Sequence, residues 1–301
     1  MGEAGRLNMK VIIGGFIFMV EVNNVAGVTK VADNIERVAA LEFSFIDDLV
    51  ALGISPVAIA DDGNKENIIE PVRKHLDDYI SVGDRENPDL DKLREAEPQL
   101  IIADSTRHKD IYDELNKITP TILLNSFGGD YKENLEAFKV VSQAVSKEDE
   151  GKARLEEHNK KVDEESKNIS IDKKLSTLPV VPAKIGVAAH SDKSYVGQFL
   201  EISGFDIPLD QKDANKYKPY LDGPYLQMTP DQLAELDPER LIIMSDKEDE
   251  NALDKLKNSD AYKKIKAVEN DKVHQVGRLA WAKSRGLIAS ESIVKELSEF
   301  K

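Results

Sequence analysis

The chain has 301 residues, 41 Lys and Arg against 56 Asp and Glu, a net charge of −15 and no Cys. That length can bury two cores, and the acidic balance disfavours nucleic acid and anionic lipid as partners. Without Cys, disulfides, thiolate metal sites and Cys nucleophiles are excluded, and no apolar stretch reaches the length of a transmembrane helix.

Val11 to Val20 (VIIGGFIFMV) follows Arg6 and Lys10. It reads either as the core of a signal peptide or as part of a β-hairpin over about 10–31, with Asn-Asn and Gly at the turn. Glu21 follows with no small-x-small cleavage site, which favours the hairpin. Met1 to Asn8 reads as an appended or mis-started segment.

From Glu36 onward, strands and helices alternate. ERVAAL, PVAIA, ISVG, QLIIA and PTILLNS are strands. IDDLVALG, KENIIEPVRKHLDDY (broken near Pro71), DLDKLREAE, RHKDIYDELNKI and Tyr131 to Val145 are helices. Strands this apolar are buried on both faces, as in a parallel sheet covered by helices. Ligands of such sheets sit beyond the carboxyl ends of the strands. Those ends carry Glu42 to Phe45, Asp61 to Gly63, Asp104 to His108 and Ser126 to Asp130.

Ser146 to Lys167 is almost wholly charged or polar and made of helix formers, which predicts a helix of about six turns. Its apolar residues Leu155, Val162 and Ile169 make a narrow stripe. Two readings stand: a solvated surface helix or short coiled-coil seam, or a spine between two globular halves. Beyond it the pattern resumes, with strands at Lys184–Ala189, Arg240–Met244 and DKVHQV, and helices at Ser194–Gly204, Asn251–Asn270 (broken near Asn258) and Leu287–Phe300. One segment repeats. DLDKLREAEPQLIIAD and TPDQLAELDPERLIIMS each place an Asp (Asp91, Asp231) seven residues before a Pro (Pro98, Pro238), followed by a Leu-Ile-Ile strand. The repeat favours a duplication and the spine.

The expected fold is therefore α/β: two Rossmann-like lobes with parallel-rich central sheets, joined by a single long helix, with a ligand cleft between the lobes. The expected boundaries are 1–145 for the N-terminal lobe, 146–170 for the interlobe helix and 171–301 for the C-terminal lobe, with Pro179 and Pro182 at its entry.

Two clusters stand out as linings of a binding site. Ser105-Thr106-Arg107-His108 follows the LIIAD strand, and Arg278 to Gly286 (RLAWAKSRG) follows KVHQV and holds the one Trp, Trp281. Three cations about a Trp, in a chain this acidic, suit a polyanionic small ligand, since guanidinium forks match carboxylates and Trp adds stacking area. The alternatives are that Arg107 and His108 cap the following helix, and that Trp281 is core with Lys283 and Arg285 solvated. His190 and Ser191 read as ligand contacts or loop residues, and Phe43, Ser44 and Phe45 as a pocket floor or helix-start packing. Tyr217, Tyr220 and Tyr225 read as a packed aromatic loop or an iron site, and His75, His158 and His274 as structural. No GxGxxG, GxxxxGK[ST], GxSxG or HExxH motif occurs.

RVAALEFSFIDDLVALG, PVAIADD, SVGDRENPDL, EPQLIIADSTRHKDIYDELNKITPTILLNS, DYKENLEAF and WAKSRGLIASESI span about residues 37–294. In these stretches the chain resembles the helical-backbone (class III) substrate-binding proteins of iron-siderophore ABC transporters, and within them ferric-citrate-binding proteins most. The resemblance implies an extracytoplasmic, non-enzymatic receptor, lipoprotein-anchored at a bacterial cell surface or periplasmic and monomeric, although no lipobox Cys is present. It would bind ferric iron already wrapped by citrate, with the iron as part of the ligand rather than a cofactor. Hydroxamate or catecholate siderophores and haem are the alternatives within the binding class, and an interlobe metal-dependent enzyme is the alternative outside it. By motif position, Arg107 and His108 would contact citrate from the first lobe, and Arg278, Trp281, Lys283 and Arg285 from the second; Lys283 stands where the family often has Arg. Asp91 and Asp231 match the acidic residues, usually Glu, through which the family docks on its ABC permease and so reaches the ATPase.

Overall fold

The computed structural model describes residues 8–12, 15–210, 216–221 and 223–301. Of the segment expected to be appended, Met1 to Asn8, residues 1–7 lie outside this set and Asn8 opens the first strand. The chain divides into two compact units. One comprises residues 1–127, 132–158 and 286–288; the other comprises 128–131, 159–285 and 289–301.

The first unit opens with three antiparallel strands, β1 (Asn8–Ile12), β2 (Gly15–Asn24) and β3 (Gly27–Ala32). The β2–β3 turn at Val25-Ala26 is closed by Asn24, whose Oδ1 accepts from Ala26 N at 3.0 Å, and by Gly27 at φ 109°. The tip fastens onto a strand edge that would otherwise be open: Val25 N donates to Leu123 O at 3.0 Å, and Thr29 Oγ1 to Thr121 O at 3.2 Å.

The main sheet of this unit is β4 (Val38–Ala40), β5 (Ala58–Ile59), β6 (Ile80–Ser81), β7 (Leu100–Asp104) and β8 (Thr121–Leu124). Its order is β6-β5-β4-β7-β8 and every pair is parallel. Ala39, Leu41, Leu93, Ile101 and Leu115 pack in one core on it. The long helix expected over KENIIEPVRKHLDDY is instead a 3₁₀ turn (Lys65–Asn67) and one turn of α-helix (Glu70–Arg73). Pro71 has no N–H to continue a helix begun at Lys65, so a helix can only start at it.

The second unit holds β9 (Thr177–Ala183), β10 (Gly186–His190), β11 (Lys218–Tyr220), β12 (Tyr225–Met228), β13 (Arg240–Met244) and β14 (Val273–Val276). The order is β11-β12-β10-β9-β13-β14. β9, β13 and β14 run parallel, while β10 is antiparallel to β9 and to β12, and β12 to β11. Pro179 and Pro182, expected at the lobe's entry, lie inside β9. A central strand accepts them because its two ladders are staggered: β13 registers with 177–180 and β10 with 180–183, so each proline has one flank without a registered partner. Tyr220 and Tyr225 of the expected aromatic loop face each other across the β11–β12 pair.

The charged stretch is a 21-residue helix, Glu148–Asn168. Glu148, Asp149 and Glu150 fill its first turn and Lys167 its last, complementing the helix dipole. Gly151, His158 and Val162 form its buried line, which Ile169 continues just past its end. Gly151 is required there, since a Cβ would fall 2.5 Å from Ser142 Cβ.

The repeated segments fold alike. Leu90–Glu95 and Pro230–Leu236 are helices, each ended by a non-glycine residue in left-handed conformation, Glu97 (φ 46°) and Asp237 (φ 50°). Leu93 and Leu233 are fully buried, and β7 and β13 each lie inside their sheets.

Candidate functional site

In the first unit the strand ends converge on Arg107. Asp104, the last residue of β7, is fully buried and accepts four backbone N–H groups: Thr106 and Arg107 on Oδ1 at 2.9 and 2.8 Å, Ser126 and Phe127 on Oδ2, both at 2.9 Å. One carboxylate thus ties the loop after β7 to the loop after β8. The Arg107 guanidinium lies over the Phe127 ring, 4.2 Å from its centroid. Its Nη1 donates to Oε1 of Glu42, a buried residue just past β4.

Arg85, four residues past β6, braces the same carboxylate. Its Nη1 reaches Glu42 Oε2 at 3.4 Å, its Nη2 reaches Asp62 Oδ2 at 2.7 Å, and it stacks 3.8 Å above Phe43. Burial pulls the Arg85 pKa down, but Glu42 and Asp62 outweigh it and the net shift is upward. Burial likewise acts to raise Asp62, and its bonds to Arg85 reverse the shift.

His108 is buried and turned inward. Its Nδ1 accepts from Asp104 N at 2.8 Å, so Nε2 carries the proton and donates to Arg85 O at 2.6 Å. Burial lowers its pKa, against the opposing pull of Glu42. Both nitrogens hold backbone, so His108 offers neither to a ligand, contrary to expectation. Ser44 is buried too, with its Oγ 2.7 Å from Ser126 Oγ. Phe43 is the platform under Arg85 rather than an open floor, and Phe45 is core. Ser105 keeps partial exposure and donates to Asn125 Oδ1.

In the second unit the residues after β14 form a π-helical turn, Leu279–Ser284, flanked by Arg278 and by Arg285, whose φ is 54°. Trp281 is fully buried within it, donates from Nε1 to Glu296 Oε2 at 2.6 Å and lies parallel to Phe300 with centroids 6.2 Å apart. It is core, not a ligand platform, which corrects the expectation. Arg278 Nη1 donates to Asp249 Oδ1 at 2.7 Å, and Lys283 Nζ to Glu248 Oε1.

His190, at the end of β10, is tilted against Tyr225 at 4.7 Å. Burial, then the nearby charges of Arg285 and Arg278, push its pKa down to about 3. It is a neutral ring beside two guanidiniums. Because β10 is antiparallel to both its neighbours, the rule of strand carboxyl ends does not place it. Ser191 Oγ donates to Pro224 O at 3.0 Å and is buried. Asp91 and Asp231 are both exposed on their short helices, Asp91 paired with Arg94 at 2.6 Å.

The sequence reading did not single out Glu42, Asp62, Arg85 and Asp104, nor Asp246, Glu248 and Asp249. The strand-end stretches contain Glu42, Asp62 and Asp104 but not Arg85, and only their mutual geometry separates the three carboxylates from other acidic loop residues.

The family model for periplasmic binding proteins matches residues 38–277. A Fe(3+)-citrate-binding protein of Bacillus subtilis is 35% identical over 90% of this chain and 82% of its own length. A putative ABC transporter substrate-binding lipoprotein of the same organism is 34% identical, over 93% of this chain and 88% of its own. Among solved structures, a Staphylococcus aureus protein complexed with staphyloferrin B superposes with a TM-score of 0.80 at 23% identity, covering 93% of this chain and 97% of that one. A match that runs from β4 through β14, with relatives a third identical over nine-tenths of the chain, makes this chain a member of the periplasmic binding protein family.

Proposed function

We propose that the chain is an extracytoplasmic receptor that captures ferric iron wrapped by citrate, or by a similar carboxylate siderophore, and delivers it to an ABC permease for iron uptake. The observation that carries this is the gathering of cations in a chain of net charge −15: Arg107 in one unit, and in the other Arg278 and Arg285, whose charges reach neutral His190, with Lys283 meeting Arg278 on Glu248. A ferric carboxylate complex is anionic, and guanidinium forks give its oxygens paired, charge-assisted hydrogen bonds. Iron is cargo, and the citrates hold it. The relative named for Fe(3+)-citrate supports this ligand class over neutral hydroxamates. Ser105 and His190 complete the proposed contact set, while His108, Trp281, Phe43, Ser44 and Ser191 support it from behind. The family and the substrate-binding relative support binding rather than catalysis.

Asp91 and Asp231, one on each repeated helix, are the proposed contacts to cationic residues of the permease. Calorimetric titration with ferric citrate tests the ligand: saturable binding that Arg107→Ala weakens at least tenfold is expected, and absence of binding rejects the reading.

A further inference from the structure

The second unit's cations do not stand bare. Lys283 Nζ donates to Glu248 Oε1, Arg278 Nη1 lies 3.6 Å from that same oxygen and 2.7 Å from Asp249 Oδ1, and Asp246 Oδ2 is 3.9 Å from Lys283. Asp246, Glu248 and Asp249 bring one oxygen each within 4.8 Å of the others, and the Lys283 ammonium and Arg278 guanidinium on them offset two of the three carboxylate charges.

The carboxylates differ in their tasks. Asp249 caps the turn at 247–249, accepting from Asp246 N at 2.9 Å, and its side chain is only 8% exposed. Glu248 sits in mid-turn with its side chain 59% exposed and meets both cations through one oxygen. Exposed ion pairs are weak and screened, whereas a buried carboxylate such as Glu42 holds its guanidinium firmly. Glu42 therefore positions a cation, and Glu248 occupies two cations from which it can be displaced.

We infer that Glu248 is a tethered competitor of the ligand: its carboxylate fills the Arg278–Lys283 pair and yields to a ligand carboxylate, so it sets how much negative charge a ligand must bring. This rests on the carboxylate reading above. A monocarboxylate exchanges one ion pair for another against a group that is always at high local concentration. A ferric complex with several carboxylates makes more contacts than it displaces. A neutral ferric hydroxamate has nothing with which to displace Glu248.

The test is calorimetry with ferric citrate and with a neutral ferric hydroxamate, on the wild type, Glu248→Gln, Glu248→Ala, Glu248→Asp and Asp249→Asn, each with a melting curve. Glu248→Gln and Glu248→Ala are expected to tighten ferric citrate about three- to tenfold without lowering the melting temperature. Glu248→Asp keeps wild-type affinity, and Asp249→Asn weakens binding because Arg278 loses its anchor. Wild-type binding of ferric citrate with unchanged or weaker binding in Glu248→Gln and Glu248→Ala overturns this inference alone. No binding of ferric citrate by any of the five proteins overturns the ligand class and this inference together.

Discussion

Arg107 is held by three different kinds of contact: backbone bonds to Asp104, a carboxylate at Glu42 and an aromatic face at Phe127. Asp104 matters most, because its replacement removes the acceptor of four backbone N–H groups, that of Ser126 buried. Asp104→Asn puts an amide donor against N–H groups and is expected to cost about 2 kcal/mol or more, read as a lowered urea midpoint; an unchanged midpoint would contradict this role. His190 gives a pH signature. Its folded pKa, near 3, lies below the unfolded value of 6.5, so the unfolded chain takes the proton first on acidification. Stability is then full above about pH 6.5 and declines towards pH 3, by up to about 1.4 kcal/mol per pH unit. Buried His108 acts in the same direction, and Asp48 and Asp246, whose pKa values are raised by burial first, act in the opposite one. Comparison with His190→Gln cancels those shared terms. The wild type should lose stability more steeply from pH 7 to 5 than the variant, and equal slopes would remove His190 as the cause. Arg107, Arg278 and Lys283 were legible in sequence because cations beside a strand end are conspicuous in an acidic chain. Glu42 and Glu248 were not, because one more acidic residue in such a chain carries no signal until its partner is known. Trp281 misled for the converse reason: its singularity drew attention, and packing on Phe300 accounts for it.

At the scale of elements, the all-parallel sheet of the first unit was readable from continuous apolar runs between short helices. The second sheet was less so. Prolines in β9 imitate a boundary, and the short β11 and β12 carry too little periodicity to declare an antiparallel pair. The segment after β14 is the most constrained. Its six-residue π-helical turn and a left-handed arginine are conformations that sequence pattern does not announce, and such backbone features recur at functional sites. Gly286 follows at once and belongs with the first unit, where a Cβ would fall 2.1 Å from Asp47 Cγ. Asp47 is buried and accepts from Ile288 N at 2.9 Å, so it has no room to retreat. Gly286→Ala is expected to destabilise by about 1–3 kcal/mol through overpacking. A thermal melt superimposable on the wild type would show that the segment accommodates the methyl group.

Across the whole molecule, the repeat of Asp, Pro and Leu-Ile-Ile was visible in sequence and reappears as matching helix, left-handed residue and interior strand in each unit. The exposed aspartates on those helices are not among the residues joined to Arg107 in one unit or to Arg278 and Lys283 in the other. Asp91→Ala with Asp231→Ala should abolish transport of ferric citrate in cells that depend on this receptor while leaving the affinity of the purified protein intact; loss of affinity would assign these residues to the ligand instead. The central claim is that fixed cations select an anionic ferric carboxylate. Its most direct test is a calorimetric titration of the purified chain with ferric citrate beside a neutral ferric hydroxamate. Saturable binding of the citrate complex alone, lost in Arg107→Ala with Arg278→Ala, is the predicted result. Binding of the neutral complex with no heat from ferric citrate would contradict it.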